Sequence, residues 1–343
     1  MENGIKIGTE SRTENRTENG RNMIEVRHIC KEYHAVKKEK GLKGAIKALV
    51  TRETQIIPAV SDLNFHIRKG EIVGFIGPNG AGKSTTIKMM SGILTPTSGE
   101  ILIDGMDITR NRKEVVQHIG VVFGQRSQLN WDLRLGESFE LLRHIYRVEK
   151  EEYERTLDVM DQILGIGELL DKPVRQMSLG QRVKGDLAAA MLHSPKVLFL
   201  DEPTIGLDVT SKYALRKFVK EINERRETTI ILTTHDLGDI EQLCSRLIII
   251  NHGRLVEDGN LEAIVERIAP FKTLAVEYYD ERIPSHDLCE LTETAGNVAR
   301  YRFRKQDITA ARLIEELGAK AQIKDVAIED VKIEDIIQIA YGE

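Results

Sequence analysis

The sequence has few cysteines and no long apolar run. Three of its 343 residues are cysteines (Cys30, Cys244 and Cys289), far apart and without the CxxC spacing of a metal site. A disulfide framework or a zinc site is therefore not expected, and a reducing compartment fits the composition. No apolar stretch approaches the roughly 20 residues that a membrane-spanning helix needs. The longest runs, Val197–Leu200 and Leu247–Ile250, have the length of strands.

Charge of one sign is not in large excess either. The chain carries 49 Lys and Arg against 54 Asp and Glu, a formal net charge of −5. This balance disfavours a general nucleic-acid coat, which requires a basic excess, so we expect no nucleic-acid partner. The N-terminus is polar and lacks the hydrophobic segment of a signal peptide. We therefore expect a cytoplasmic protein, and any membrane on which it acts must be spanned by another chain.

The length predicts one large domain and a smaller one. Residues 1–22 are polar and repeat the tetrapeptide RTEN, a composition typical of a disordered tail. Residues 23–265 form the predicted large domain, and residues 266–343 a small α+β domain. In the small domain, LAVEYYD and RYRFR are predicted strands, and Ile308–Leu317 is a predicted helix with Asp307 or Thr309 as its cap. A further helix is predicted at Ile333–Tyr341.

Residues 36–57 of the large domain are predicted to be a basic insertion. Its apolar residues fall on one helical face, with Lys43 and Lys47 away from that face: Leu42, Ala45, Ile46 and Leu49. Two interpretations remain open. The helix could face lipid headgroups or an acidic partner, or it could be a surface helix that covers its own domain.

Between about residues 71 and 259, buried strands alternate with helical segments. The apolar runs EIVGFIG, KVLFLDE, TIIILTT and RLIIIN are bounded by turn or charged residues. Nearly continuous apolar strands separated by helices predict a mostly parallel sheet covered on both faces, and so an α/β fold. Residues 126–191 are charged and helical in period, which predicts a helical subdomain set into this core.

One segment has the pattern GxxxxGK[ST] of a phosphate-binding loop. It follows an apolar strand, precedes a helical segment beginning at Thr85, and consists of Gly77, Pro78, Asn79, Gly80, Ala81, Gly82, Lys83 and Ser84. Glycines allow backbone N–H groups to turn towards phosphate oxygens, and the helix N-terminus adds a positive dipole. Lys83 is expected to reach the outer phosphates, and the Ser84 hydroxyl to ligate Mg²⁺.

Two adjacent carboxylates follow another apolar strand. Val197–Leu200 leads directly into Asp201 and Glu202. Carboxylates at the carboxyl end of a buried parallel strand lie in the crevice where α/β sheets bind ligands. We expect Asp201 to hold Mg²⁺ through water, and Glu202 to accept a proton from the attacking water molecule.

With these motifs in order, residues 24–260 resemble the nucleotide-binding subunits of ABC ATPases. The sequence Met177-Ser178-Leu179-Gly180-Gln181 resembles the family signature LSGGQ, with leucine where the usual motif has glycine. Gln125 resembles the Q-loop glutamine, which contacts Mg²⁺ and water. His235 resembles the H-loop histidine that contacts the γ-phosphate, and Tyr33 the aromatic residue that stacks on adenine. The segment Pro203–Asp208 resembles the D-loop.

The resemblance implies a fold with a P-loop ATPase core, an antiparallel β subdomain and a helical subdomain. It also implies a dimer, because Ser178, Gly180 and Gln181 would contact the ATP held by a second ATPase subunit, identical or paralogous. ATP and Mg²⁺ are the implied cofactors. Hydrolysis would open the dimer and drive an integral membrane permease, with this chain lying on the inner face of the membrane.

Whole stretches are most similar to the export-type branch, whose ATPases serve drug, lipid or polysaccharide exporters. Two alternatives stay open: the ATPase subunit of an importer, and a soluble ABC ATPase without a permease. Only about 90 residues separate Ser84 from Ser178, which leaves no room for the long coiled-coil arms of repair and chromosome ATPases. Importer tails also resemble small β-barrels, whereas this tail mixes helices and strands.

Overall fold

The computed structural model describes residues 21–36, 54–124, 126–234, 236–268 and 270–330. Its strands are β1 (Asn22–Val36), β2 (Thr54–Arg68), β3 (Ile72–Ile76), β4 (Ser98–Ile103), β5 (Met106–Asp107), β6 (Ile119–Phe123), β7 (Val197–Asp201), β8 (Thr229–Thr233), β9 (Arg246–Asn251), β10 (Arg254–Asn260), β11 (Phe271–Tyr278), β12 (Cys289–Ala295), β13 (Val298–Arg304) and β14 (Ile323–Asp330). Its α-helices are α1 (Lys83–Met90), α2 (Arg112–Val115), α3 (Leu135–Tyr146), α4 (Lys150–Leu164), α5 (Leu179–Met191), α6 (Val209–Arg226), α7 (Leu237–Leu243), α8 (Leu261–Ile268) and α9 (Ala310–Gly318).

A six-stranded sheet in the order β10-β9-β3-β8-β7-β6 forms the centre of the larger unit. The pairs from β9 to β6 are parallel, and only β10 joins antiparallel. Every residue of β7 and β8 is buried, which explains why these strands are apolar on both faces. Because the strands are parallel, their carboxyl ends lie along one edge, where Asp201 and Thr233 end neighbouring strands.

An antiparallel sheet in the order β2-β1-β4-β5 packs against this centre. Its core residues share one apolar cluster with β3 and α1, and the Phe65 and Phe75 rings lie 5.8 Å apart between their centroids. The sheet therefore supports the phosphate loop from the side. The mostly parallel core, the antiparallel β subdomain and the helices between β6 and β7 confirm the predicted fold class.

The helices α3, α4 and α5 lie between β6 and β7 in the chain and pack through buried apolar residues such as Phe139 and Met160. The start of α5 is set by Ser178, whose Oγ accepts a hydrogen bond from the Gln181 amide at 3.2 Å. The Gln181 side chain in turn accepts from the Ser178 amide at 3.1 Å. This reciprocal capping box is worth about 1 kcal/mol and fixes where the helix begins.

A smaller four-stranded antiparallel sheet, in the order β12-β13-β11-β14, has its own core with α9 on one face. Thr309 caps α9 by accepting a hydrogen bond from the Arg312 amide. The Tyr278 and Tyr301 hydroxyls lie 2.9 Å apart, and the Tyr301 hydroxyl donates to the Pro284 carbonyl at 2.7 Å. Both tyrosines are completely buried, so this short chain of hydrogen bonds satisfies their hydroxyls inside the apolar core.

Several boundaries differ from the sequence prediction. Residues 54–57 belong to β2 and not to the insertion, because Thr54 pairs with Val36 and Ile57 with Tyr33. Asn22, predicted in the tail, starts β1. Helix α8 runs through the predicted boundary at residues 265 and 266, and Ile264 packs in the larger core, so the boundary moves beyond Ile268. In the described ranges no helix is both long and apolar enough to cross a membrane.

Some predictions fall outside the described residues. They concern the tail up to residue 20, the insertion helix with Lys43 and Lys47, Gln125, His235 and the helix at residues 333–341.

Replacing Tyr301 with Phe is expected to destabilise the small sheet by about 1–3 kcal/mol, because the buried Tyr278 hydroxyl then loses its partner. Amides of β11 and β13 should exchange with deuterium about tenfold faster or more, since 1.4 kcal/mol corresponds to a factor of ten. Tyr279→Phe is the matched control, because that ring is 64% exposed. Equal exchange rates in the two variants would contradict the role of the hydroxyl chain.

Candidate functional site

The phosphate loop lies between β3 and α1, as the sequence predicts. Gly80 and Gly82 have φ angles of +82° and +103°, a conformation that residues with a side chain rarely adopt. A Cβ on Gly77 would lie 2.4 Å from the Ile250 carbonyl oxygen, so only glycine fits there. The loop lines a cavity of about 320 Å³, together with Ala59, Glu202 and Ile205. The cavity is therefore lined by the loop, including Pro78, Asn79, Ala81 and Thr85, and by Glu202, the residue after β7.

Lys83 is the buried cation of this cavity. Its Nζ donates to the Gly77 carbonyl and, at 3.2 Å, to the Pro78 carbonyl. Burial lowers the pKa of Lys83, while the nearby carboxylates of Glu202 and Asp201 act in the opposite direction. An anion in the cavity would stabilise the charged ammonium further, because an opposite charge favours the ionised form.

Asp201 lies where β6, β7, β8 and the start of α1 converge. Its Oδ1 accepts hydrogen bonds from the Thr233 hydroxyl at 2.7 Å and from the Ser84 hydroxyl at 3.4 Å. The carboxylate and the Ser84 hydroxyl are oxygen ligands of the kind that Mg²⁺ binds alongside water and phosphate oxygens. The donor set at this point therefore fits a magnesium ion.

Glu202 follows directly and adopts a left-handed backbone conformation, with φ of +56°. Such a conformation costs of order 1–3 kcal/mol for a residue with a side chain and persists only where the surroundings enforce it. Here the Glu202 amide donates to the carbonyl and the hydroxyl of Thr233, each at 3.0 Å. This constraint turns Glu202 towards the wall shared by the phosphate cavity and a second cavity, which is lined in part by Ser84, Gly124 and Arg126.

The neighbours of Gln125 and His235 reach the same edge of the sheet. The Gly124 amide donates to the Asp201 carbonyl at 2.8 Å. On the other side, the Thr234 hydroxyl lies 3.2 Å from the Thr204 hydroxyl. The predicted roles of Gln125 and His235 stay predictions, since both residues lie outside the described part of the chain.

The signature residues lie apart from the chain's own phosphate cavity. Ser178 and Gln181 form the capping box of α5, and none of the described residues 178–181 is among those that line the cavity. A Cβ on Gly180 would lie 2.2 Å from the Ser211 Oγ, so glycine permits close contact with α6. Leu179, the departure from the usual motif, is 37% exposed. A complete site would thus require the signature of another subunit.

Tyr33 lies on β1 opposite Ile57. Its ring is 41% exposed, and the Lys31 ammonium lies 5.6 Å from the ring centroid. The ring is not among the residues that line the phosphate cavity. Its exposed face is compatible with stacking, but the adenine contact stays a prediction.

Sequence reasoning missed four residues that support the site. Thr233 forms hydrogen bonds with both Asp201 and Glu202. The sequence feature that could have identified it is a polar residue at the end of a buried strand. Arg216 donates to Asp239 at 2.6 Å, and Asp239 is completely buried on α7, just after His235. Asp186 lies in the middle of α5 and accepts hydrogen bonds from the segment after Gln125. Neither the pairing of Arg216 with Asp239 nor the contact between Asp186 and the segment after Gln125 can be predicted from sequence spacing.

Comparisons with known proteins agree with this geometry. A family model described as ABC transporter matches residues 60–205. The chain is 36% identical over 285 residues to the bacitracin transport ATP-binding protein BcrA of Bacillus licheniformis, an alignment that spans 83% of this chain and 89% of BcrA. It is 30% identical over 288 residues to the methionine import ATP-binding protein MetN of Carboxydothermus hydrogenoformans, covering 78% of this chain and 82% of MetN.

A solved structure is similar in fold. It is the dimeric post-hydrolysis state of an ATP-binding cassette bound to ADP and Pi. The two chains align with a TM-score of 0.58 and 25% identity, over 70% of this chain and 99% of the other.

Replacing Gly124 with Ala is expected to lower ATP turnover by about 100-fold, the effect of a displacement of about 1 Å at an active site. The added Cβ would lie 1.9 Å from the Glu202 carbonyl oxygen and must push that backbone away. The measurement is the steady-state rate of phosphate release at saturating ATP. Gly259→Ala is the control, because its nearest contact would be an ordinary 3.7 Å. Similar rates in both variants would contradict the importance of this close approach.

Proposed function

This chain belongs to the family of ABC transporter ATP-binding proteins and hydrolyses ATP, and from this we propose that it drives export through a separate membrane permease. It works as one of two ATPase subunits, identical or paralogous, that close on two ATP molecules. The observation that carries the proposal is the convergence of Lys83, Ser84 and Glu202 around one cavity, with Asp201 hydrogen-bonded to Ser84 and the signature residues of the same chain outside the cavity.

The phosphate loop and Lys83 bind the triphosphate. The loop amides and the N-terminus of α1 face the cavity, so they stabilise phosphate oxygens with fixed dipoles. Lys83 exchanges its present carbonyl partners for the stronger acceptors of the outer phosphates. Ser84 and Asp201 would hold Mg²⁺. When bound, this ion neutralises the charge that develops on the phosphate oxygens.

Glu202 acts as the general base. Thr233 fixes the Glu202 backbone, and Glu202 lines the phosphate cavity together with the loop. A carboxylate in this place accepts the proton of the water molecule that attacks the γ-phosphate, and the bond to ADP breaks as the new P–O bond forms. Gln125 and His235 would orient this water and the γ-phosphate.

The dimer follows from the position of the signature. Ser178 caps α5, and Leu179 and Gly180 are its first residues, so the positive end of the helix dipole lies beside the Ser178 hydroxyl. This is a ready site for the γ-phosphate of a neighbouring subunit. Each nucleotide then has the phosphate loop of one chain and the signature of the other, and ATP holds the pair together until it is hydrolysed.

One structural observation favours export over import. The described residues 271–330 form an open antiparallel sheet with one helix, unlike the small β-barrels that importer tails resemble. Sequence identity does not separate the two directions: it is 36% over 285 residues to a protein named for bacitracin transport, and 35% over 209 residues to one named for methionine import. Import is the second candidate, since a named importer aligns over 78% of this chain.

A permease partner places this chain on the inner face of a membrane.

The longest helix between β6 and β7, α4, has 15 residues. The described part of this region therefore offers no long arms of the kind that DNA-repair and chromosome ATPases use.

Replacing Glu202 with Gln is expected to preserve ATP binding but lower turnover by about 100- to 10,000-fold, the usual contribution of a general base. The variant should also accumulate as a dimer when ATP and Mg²⁺ are present. Phosphate release and light scattering after size exclusion measure the two effects. Glu224→Gln, an exposed position on α6, is the control. A Glu202→Gln variant that hydrolyses ATP at the wild-type rate would exclude Glu202 as the base.

The same Glu202→Gln variant tests the transporter class. Purified from its native host in mild detergent with ATP, it should bring down a multi-spanning membrane protein identifiable by mass spectrometry. Uptake and efflux assays with that partner then separate import from export. Recovery of ribosomal or DNA-associated proteins instead would contradict the permease and keep only the ATPase.

A further inference from the structure

The segment of residues 126–131, which we term the linking segment, is bound to the signature helix α5 by a buried carboxylate. Asp186 Oδ1 accepts hydrogen bonds from the Ser127 hydroxyl at 2.9 Å and from the Gln128 amide at 3.0 Å. The Gln128 side chain donates in return to the Asp186 carbonyl at 3.1 Å. Three hydrogen bonds thus join two adjacent residues of the linking segment to one residue of α5.

Apolar and cationic contacts reinforce this junction along α5. A Cβ on Gly185 would lie 2.9 Å from the Leu129 methyl group, so glycine lets the linking segment approach the helix closely. One turn earlier, the Arg182 guanidinium lies 5.1 Å from the centroid of the Trp131 ring, a contact worth about 0.5–1 kcal/mol at an exposed site. The linking segment and α5 therefore form one packed unit over residues 182–186.

The other end of the linking segment continues into the catalytic edge of the sheet. Gly124 donates to the Asp201 carbonyl at 2.8 Å, and Arg126 donates back to Phe123 at 3.0 Å. Gly124, which contacts Asp201, is thus only a few residues from Ser127 and Gln128, which contact the helix capped by Ser178. Packed and hydrogen-bonded elements of this kind carry energetic coupling between sites.

The burial of Asp186 is costly and therefore informative. The residue is 7% exposed, and burial raises the pKa of its carboxyl to about 6, against the lowering effect of the Ser127 and Gln128 hydrogen bonds. An apolar residue at this position would pack without that cost. The carboxylate is compensated mainly by the donors of the linking segment, so its contribution depends on that segment keeping its place.

We propose that Asp186 is a positioning residue that transmits changes at the Asp201–Glu202 edge of one subunit to its signature serine, Ser178, in the site of the other subunit. The inference rests on the proposed ATP-dependent dimer. When nucleotide and water shift the Asp201–Glu202 edge, Gly124 and the linking segment move with it, and Asp186 moves α5 in turn. The two ATP sites of the dimer are coupled in this way.

Loss of this link should abolish the coupling between the two ATP sites, while each site still binds ATP. Coupling free energies between sites correspond to about 5- to 150-fold effects on affinity. We expect Asp186→Ala to lower the Hill coefficient of ATP hydrolysis towards one and to reduce kcat, while ATP affinity of the monomer stays within about twofold of wild type because the phosphate loop is untouched. Alanine favours the helix, so α5 itself should persist.

Three further variants sharpen the test. Asp186→Asn keeps the Oδ1 acceptor and should restore cooperativity. Ser127→Ala removes one donor from the opposite side and leaves α5 unchanged, so it should lower the Hill coefficient partly. Asp161→Ala is the matched control, because Asp161 on α4 accepts from the Gly167 amide at 2.6 Å and, within the described part of the chain, makes no hydrogen bond to the linking segment. It should lower thermal stability but leave the Hill coefficient intact.

The experiment measures ATP hydrolysis against ATP concentration, nucleotide affinity of the monomer and the melting temperature for each variant. Cooperativity lost in Asp186→Ala and kept in Asp186→Asn and Asp161→Ala supports the proposal. Cooperativity kept in Asp186→Ala, or lost equally in Asp161→Ala, overturns it while the dimer stands. A wild-type protein that neither dimerises with ATP nor shows cooperativity overturns the dimer itself, and the inference with it.

Discussion

The hydrogen bond from Thr233 to Asp201 joins the carboxyl ends of two neighbouring parallel strands, and the remaining site is arranged around it. It fixes the carboxylate that faces Ser84, and the same threonine holds the backbone of Glu202 in a conformation that it would not adopt alone. Both strands are completely buried, so the bond is formed away from competing water. Asp201, the proposed metal ligand, and Glu202, the proposed base, therefore share one support from β8.

The sequence allowed the fold and the nucleotide cavity to be predicted because their signals are local. Apolar runs predict the buried strands β3, β7, β8 and β9, and glycine spacing predicts the loop that begins at Gly77. The cap of α9 at Thr309 was one of two predicted candidates and is confirmed. The extent of the insertion was predicted too broadly, since pairing of Thr54 with Val36 extends β2 into it. Where a strand ends depends on the neighbouring strand with which it pairs, and a single run of residues does not specify that strand.

Supporting residues escaped prediction for a related reason. Arg216 and Asp239 are 23 positions apart, and Ser127 and Asp186 are 59 positions apart. Their contacts exist only once α6 lies beside α7, and once the helices between β6 and β7 fold back on themselves. A charged residue in a helix is usually solvated, so the burial of Asp239 and Asp186 results from tertiary packing and not from the local sequence. The catalytic residues carry motifs, whereas the residues that hold them in place do not.

Leu179 has a consequence for the rate and the affinity with which the two proposed subunits would associate. A Cβ on Gly206, on the segment after Glu202, would lie 3.2 Å from a Leu179 methyl group, and Gly180, the next residue along α5, fits against Ser211. The start of α5 and the segment from Gly206 to Ser211 are thereby already ordered in the free subunit. Freezing a side chain on association costs about 0.5–1.5 kcal/mol, and a surface that is preorganised avoids much of that entropy. The leucine would thus reduce the conformational entropy that this surface loses when a second subunit associates.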